Sequence, residues 1–150
     1  MRNFRQSKIR RQSRWTCGDG FLLDTNIMSD LVRHPRGRIA DRIESVGEQQ
    51  ICTSIIVAAE LRYGAAKKAS ERLMRQLEVV LSAVDVLALE APTDSVYGEL
   101  RARLEQTGSP IGANDLLIAS HALALGLTVV TDNEREFARI DDLRVENWLR

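Results

Sequence analysis

The chain reads as an α/β fold with a parallel sheet, and three observations predict it. The runs FLLD (residues 21–24), ICTS (51–54) and LTVVT (127–131) are short, apolar and bounded by polar residues, as strands inside parallel sheets are. Stretches with helical spacing of apolar residues separate them. The length, 150 residues, suits one domain with a substantial core.

Element by element, FLLD is a strand and TNIMSDLVR behind it a helix, stopped at His34 because the residue before Pro35 avoids the helical region. Arg36 to Val46 makes a second helix ending at Gly47. ICTS is the next strand, and Ser54 suits the N-cap of a helix running towards Gly64. Leu73, Leu77, Val80, Leu81 and Val84 give an amphipathic helix from about Ser70, followed by a strand over Asp85 to Leu89. Pro92 falls in the first turn of the next helix, with Val96, Leu100 and Leu104 on one face. Thr107 to Pro110 is loop chemistry. Asn114 to Leu125 is a helix apolar nearly all round, hence buried, with Gly126 as its C-cap ahead of LTVVT.

Composition narrows the class further. No apolar run approaches the roughly 20 residues needed to span a bilayer. Cys17 and Cys52 are isolated and lack metal-ligand spacing, which predicts a reduced, cytoplasmic protein without a disulfide framework. The formal charge is zero but uneven. Residues 1–20 hold six basic residues and one acid, so residues 21–150 hold 15 basic and 20 acidic, a net of −5. Residues 1–20 therefore read as a basic, disordered extension ahead of a single domain over 21–150. They lack the apolar core of a secretory signal.

Four acids stand against apolar runs: Asp24 ends FLLD, Glu60 interrupts SIIVAAEL, Asp115 opens DLLIASHALALG, and Asp132 follows LTVVT. Buried carboxylates repel: at an effective dielectric near 20, two charges about 4 Å apart cost roughly 4 kcal/mol. In parallel α/β sheets, strand carboxyl ends share one edge, so Asp24 and Asp132 can meet there, with Asp115 at a positive helix terminus nearby. Convergence would call for a hard divalent cation held by oxygen ligands. The competing reading is capping. Asp24, Asp115 and Asp132 all precede helical sequence, and aspartate is a good N-cap worth about 1 kcal/mol. Glu60 escapes that argument, because it lies inside a helix with Ile56, Tyr63 and Gly64 on its apolar side. Its nearest possible partner, Arg62, faces elsewhere.

Other chemistries find less support. His34 and His121 read as structural, His121 lying on a different helix face from Asp115. D-T-N lacks the second aspartate of an aspartyl phosphatase, no Gly-rich turn follows a strand, and there is no G-x-S-x-G elbow. Arg33, Arg36, Arg38 and Arg42 could contact phosphate or form a solvated helix face.

Taken together, LLDTNI, AELRYGA, IGANDLLIASHAL and VTDNEREF followed by VENW resemble a PIN-domain endoribonuclease, specifically a VapC-type toxin of a type II toxin–antitoxin system. The resemblance spans Phe21 to Trp148. It implies a PIN-like three-layer fold whose mainly parallel sheet is flanked by helices. It further implies an acidic pocket of Asp24, Glu60, Asp115 and Asp132 that holds Mg²⁺ or Mn²⁺, with Thr25, Asn26, Asn114 and Thr131 orienting carboxylates or a water. The implied activity is hydrolysis of RNA phosphodiester bonds, in transfer or ribosomal RNA, leaving 5′-phosphate and 3′-hydroxyl ends. A cognate VapB-type antitoxin lying over the pocket and a homodimer are implied as well. The alternative is a catalytically silent acidic PIN-like module that binds a basic protein partner.

Overall fold

A computed structural model describes the backbone of Ile9–Arg10 and residues 20–150. Six strands form one sheet in which every pairing is parallel: β1 (Ile9–Arg10), β2 (Phe21–Leu23), β3 (Ile51–Ser54), β4 (Asp85–Leu87), β5 (Thr128–Val130) and β6 (Val145–Glu146), in spatial order β1-β4-β3-β2-β5-β6. Apart from Ile9–Arg10 and Gly20, the expected basic extension over residues 1–20 lies outside the described residues, as does Cys17.

The order explains the layers. From β2 through β3 to β4 the chain moves one way, by helices α1 (Thr25–Arg33), α2 (Arg38–Val46), α3 (Ile55–Lys68) and α4 (Glu71–Ala83). It then returns from β4 to β5 by α5 (Thr93–Gln106) and α6 (Ala113–Leu125). Right-handed crossovers in opposite directions place the first four helices on one face and the last two on the other. The order reverses at β2, which pairs with β3 on one side and β5 on the other, in register Leu22↔Cys52 and Leu22↔Val129. The crevice for a ligand in an open parallel sheet lies at the strand carboxyl ends beside such a reversal.

Burial follows the apolar pattern. Leu22 and Leu23 of β2, Val129 and Val130 of β5, and Ile118, Ala119 and Ala122 of α6 are wholly buried. Ser54 caps α3 as anticipated, its Oγ accepting from Ile56 N at 3.1 Å. Gly126 ends α6 in the left-handed conformation. Several boundaries differ from the sequence reading. Helix α2 begins at Arg38, after Gly37. Helix α3 runs past Gly64 to Lys68, because glycine is tolerated in a helix held by tertiary contacts; the left-handed turn comes at Ala69. Strand β4 stops at Leu87, and Pro92 precedes the first turn of α5.

Two short elements had no bounds in the sequence reading: α7 (Glu134–Phe137), a single turn in the helical sequence expected after Asp132, and β6, of two residues. Both are too short to show a period. Beyond them, Trp148 is buried against Phe21, with ring centroids 5.2 Å apart. Arg42 lies over the Trp148 ring and pairs with Glu146 at 3.7 Å, and Arg38 donates to the Leu149 carbonyl. These two arginines therefore secure the C-terminal segment. No described helix is long and apolar enough to cross a membrane.

Candidate active site

The parallel sheet brings the ends of β2, β3 and β5 to one edge, and Asp24 stands at the centre of it. Its N–H donates to the Val130 carbonyl at 2.9 Å, which locks the end of β2 to β5. Its carboxylate is buried, and Oδ2 accepts from Thr131 Oγ1 at 2.7 Å. Among the described residues, Oδ1 has no hydrogen-bond partner. Although Asp24 occupies the N-cap position of α1, its side chain makes no capping bond. The capping reading also fails for Asp115, in the first turn of α6 behind Gly112, and for Asp132, since Asn133 precedes α7.

Glu60 reaches the same edge from α3. Thr25 Oγ1 donates to its Oε1, and Asn114 Nδ2 donates to Oε2 at 2.8 Å. Arg62 is committed to Glu78 at 2.5 Å. Asp115 accepts at Oδ2 from Asn133 Nδ2, 3.1 Å away. A further acid joins them: Glu136 on α7 accepts from Gly112 N at 2.6 Å and from Asn133 Nδ2 at 3.4 Å. Sequence reading passed over Glu136 because it sits in a charged stretch, NEREF, rather than beside an apolar run. Asp132 is at the rim. Its N–H donates to Asn26 Oδ1 at 3.0 Å, and its exposed carboxylate accepts from Asn147 Nδ2 at 3.1 Å. Thus Asp24, Glu60 and Asp115 are brought together with Glu136, while the Asp132 carboxylate turns to Asn147.

Electrostatics records the crowding. Burial raises the Asp24 carboxyl above its ordinary value against the Thr131 hydroxyl and the Thr25 N–H, and the charges of Glu60 and Glu136 push it further. Burial, then the charges of Asp24, Glu136 and Glu60, raise Asp115 to about 7. Glu136 is lowered, chiefly by the Gly112 N–H. His121, whose Nδ1 lies 3.0 Å from Ser54 Oγ, is wholly buried and is pushed down to about 4 by that burial, so it is neutral at pH 7. His34 sits apart, exposed at the end of α1.

An unpartnered, buried carboxylate oxygen surrounded by other carboxylates fits a hard divalent cation, for which oxygen is the preferred ligand. As arranged, no three His, Cys, Asp or Glu side chains among the described residues close to ligand distance around one point. Thr25, Asn114 and Asn133 hold the acids in an open ring instead.

The raised Asp115 has a consequence for stability. Between about pH 4 and 7 the folded protein holds a proton there that the unfolded chain has released, so this term stabilises at acid pH and is lost as pH rises through 7. Asp115→Asn is therefore expected to stabilise the ion-free protein at pH 8 by about 1–2 kcal/mol, after allowance for solvent screening. The gain should shrink below pH 7 and vanish near pH 4. Urea unfolding of both proteins at four pH values measures it, and His121 cancels from the difference. A gain that grew towards acid would contradict the burial argument.

This fold and edge are those of a PIN domain: residues 21–143 match the PIN domain family, and the chain belongs to it. It is 42% identical over 130 residues to Ribonuclease VapC2 of Rickettsia felis, covering 85% of this chain and 97% of that protein. It is 37% identical over 129 residues to the tRNA(fMet)-specific endonuclease VapC of Shigella flexneri, again 85% and 97%. Among solved structures, VapBC2 from Rickettsia felis bound to a DNA fragment from their promoter aligns with a TM-score of 0.79 at 41% identity, over 85% of this chain and 98% of that one. DNA-bound VapBC from Salmonella typhimurium aligns at 0.77 and 38% identity, over 86% and 98%. The chain is a PIN-domain protein closely related to VapC-type toxins of type II toxin–antitoxin systems. That relationship supports a ribonuclease-toxin role.

Proposed function

We propose that this protein is the toxin of a type II toxin–antitoxin pair, a divalent-metal-dependent endoribonuclease acting in the cytoplasm on transfer or ribosomal RNA. The observation that carries the reading is Asp24 Oδ1, buried and without a hydrogen-bond partner among the described residues, beside acids whose charges raise Asp24 and Asp115. Asp24, Glu60 and Asp115 would hold Mg²⁺ or Mn²⁺, with Glu136 completing the acidic ring and Asp132 at its rim. When bound, such an ion polarises phosphoryl oxygens and lowers the pKa of a bound water.

The chain's own residues prepare that chemistry. Thr131 fixes one Asp24 oxygen and leaves the other without a hydrogen-bond partner among the described residues. Thr25 and Asn114 hold both Glu60 oxygens, and Asn133 spans Asp115 and Glu136. Asn26 holds the Asp132 backbone, so the turn after β5 keeps its place against α1. An acidic edge of this kind also suits capture of an arginine from a cognate VapB-type antitoxin. Support for that partner comes from the VapBC complexes to which this chain is similar. A homodimer is part of the same proposal.

Purified, antitoxin-free protein is expected to cut total bacterial RNA into discrete fragments with Mg²⁺ or Mn²⁺ and not with EDTA. Folded protein that binds a basic partner but never cleaves RNA would establish the silent-module alternative.

A further inference from the structure

The segment VENW, residues 145–148, ends beside the acidic edge, and the sheet puts it there. Strand β6 pairs with β5 in register Val130↔Glu146, and Thr131 N donates to the Glu146 carbonyl at 2.9 Å. Asp132 and Asn147 therefore leave the two strands side by side. The Asn147 amide is held at both ends. Its Oδ1 accepts from Leu149 N at 2.8 Å, and its Nδ2 donates to Asp132 Oδ1 at 3.1 Å and to Glu134 Oε2 at 2.8 Å. The amide nitrogen carries two hydrogens, one for each carboxylate. Trp148 is buried and Arg38 and Arg42 secure the same segment, so the core holds Asn147 in place.

Asn133 bridges another pair in the same way, its Nδ2 lying 3.1 Å from Asp115 Oδ2 and 3.4 Å from Glu136 Oε2. Two asparagines thus sort four carboxylates into an inner pair, Asp115 and Glu136, and an outer pair, Asp132 and Glu134. The inner pair shares its field with buried Asp24, whose Oδ1 has no hydrogen-bond partner among the described residues. The outer pair also meets the Arg150 guanidinium, 3.5 Å from Glu134 Oε2. Asp132 is nonetheless next to the ring. The residue before it, Thr131, bonds Asp24, and the residue after it, Asn133, bonds Asp115.

Resting on the metal-dependent ribonuclease reading of this edge, we propose that Asn147 is a positioning residue that decides which acids hold the ion. It keeps the Asp132 carboxylate in the outer pair, so the fourth acid of the sequence pattern stays off the metal. Joining the ring would break a hydrogen bond to a charged oxygen, a bond stronger than one between neutral groups. Asn26 meanwhile holds the Asp132 N–H at 3.0 Å, so what Asn147 controls is the side chain.

Two measurements on antitoxin-free protein test this. In nitrogen–proton correlation spectra of the unmutated chain, a Mg²⁺ titration is expected to move the side-chain amide signals of Asn114 and Asn133, which hold Glu60 and Asp115. Those of Asn147 should stay in place. Movement of all three overturns the role of Asn147 alone, whereas movement of none removes the metal site and that role with it. The second measurement is Mn²⁺ affinity, read from the electron spin resonance of the free ion, for wild type, Asn147→Ala, Asp132→Asn and the double variant. With Asp132 released, Asn147→Ala is expected to bind Mn²⁺ about 10-fold tighter, the low end of the 10- to 100-fold usual for groups that act on a metal site from outside its ligands. The double variant should lose that gain. An asparagine with a merely structural role predicts the opposite sign, weaker binding and a lower melting temperature whether or not Asp132 is present. Unchanged or weaker binding by folded Asn147→Ala protein, or a gain that persists without Asp132, overturns the assignment. Circular dichroism establishes the fold of each variant, and if Asn147→Ala does not fold, the amide titration decides by itself.

Discussion

Replacing Asp24 by asparagine is expected to abolish RNA cleavage while raising the thermal stability of the ion-free protein. The two effects have one cause. Asn keeps the shape of the side chain and the oxygen that accepts from Thr131, 2.7 Å away, so the junction of β2 with β5 survives. What disappears is a buried negative charge that burial and its acidic neighbours both disfavour. Melting temperature should rise by a few degrees, since about 1 kcal/mol moves a domain of this size by roughly 2–4 °C. Saturating Mn²⁺ should stabilise the wild type, by about 2.7 kcal/mol at a hundredfold excess over its dissociation constant, and leave the variant nearly unmoved. Cleavage should fall by at least about 10²–10³-fold, the usual loss when one preorganised electrostatic group is removed. Differential scanning fluorimetry with and without Mn²⁺, beside a gel assay of total RNA, reads all of this. A variant that still cleaves, or that melts several degrees lower without metal, would sink the acidic-ring interpretation.

Phe137→Ala should have the largest effect on folding and should also damage the site. Phe137 is wholly buried and is the bulkiest of the fully buried side chains. It anchors α7, which is one turn long and cannot persist on its own hydrogen bonds. Removing a buried phenyl ring typically costs about 3–5 kcal/mol, a large share of the 5–15 kcal/mol a domain has. Because Glu136 is the preceding residue, loosening this turn would also free the carboxylate that holds Gly112 N and shares Asn133 with Asp115. Urea unfolding should show the loss, with Phe137→Leu recovering most of it. At a temperature where the Ala variant remains folded, its cleavage rate should still be reduced. A midpoint unchanged from wild type would mean that α7 is held by something other than this ring.

Much of the protein could be read from the chain alone, because its main signals are local. FLL, ICTS and TVV are short β-branched or apolar runs, and helical stretches such as the one over Leu73, Leu77, Val80 and Leu81 repeat at 3.6 residues between them, so strand and helix alternate visibly and the parallel sheet follows. The same logic placed Asp24 at a strand end and Asp115 in a first helical turn, and Glu60 stood out because a helix interior offers a glutamate no cap to make. Tertiary structure decided the rest. Glu136 joins the ring through Gly112 and Asn133, residues 24 and three positions away, and nothing in NEREF distinguishes it from a solvated charge. The Asp132 carboxylate turns to Asn147, across the loop that carries α7. Tyr63 faces solvent although its helix is apolar around it, since which side of α3 is covered depends on α1 and α4 packing beside it. Local propensity and periodicity are properties of neighbouring residues in the chain. Which carboxylates share a field, and which ring is left uncovered, depend on long-range packing that no short window of sequence contains.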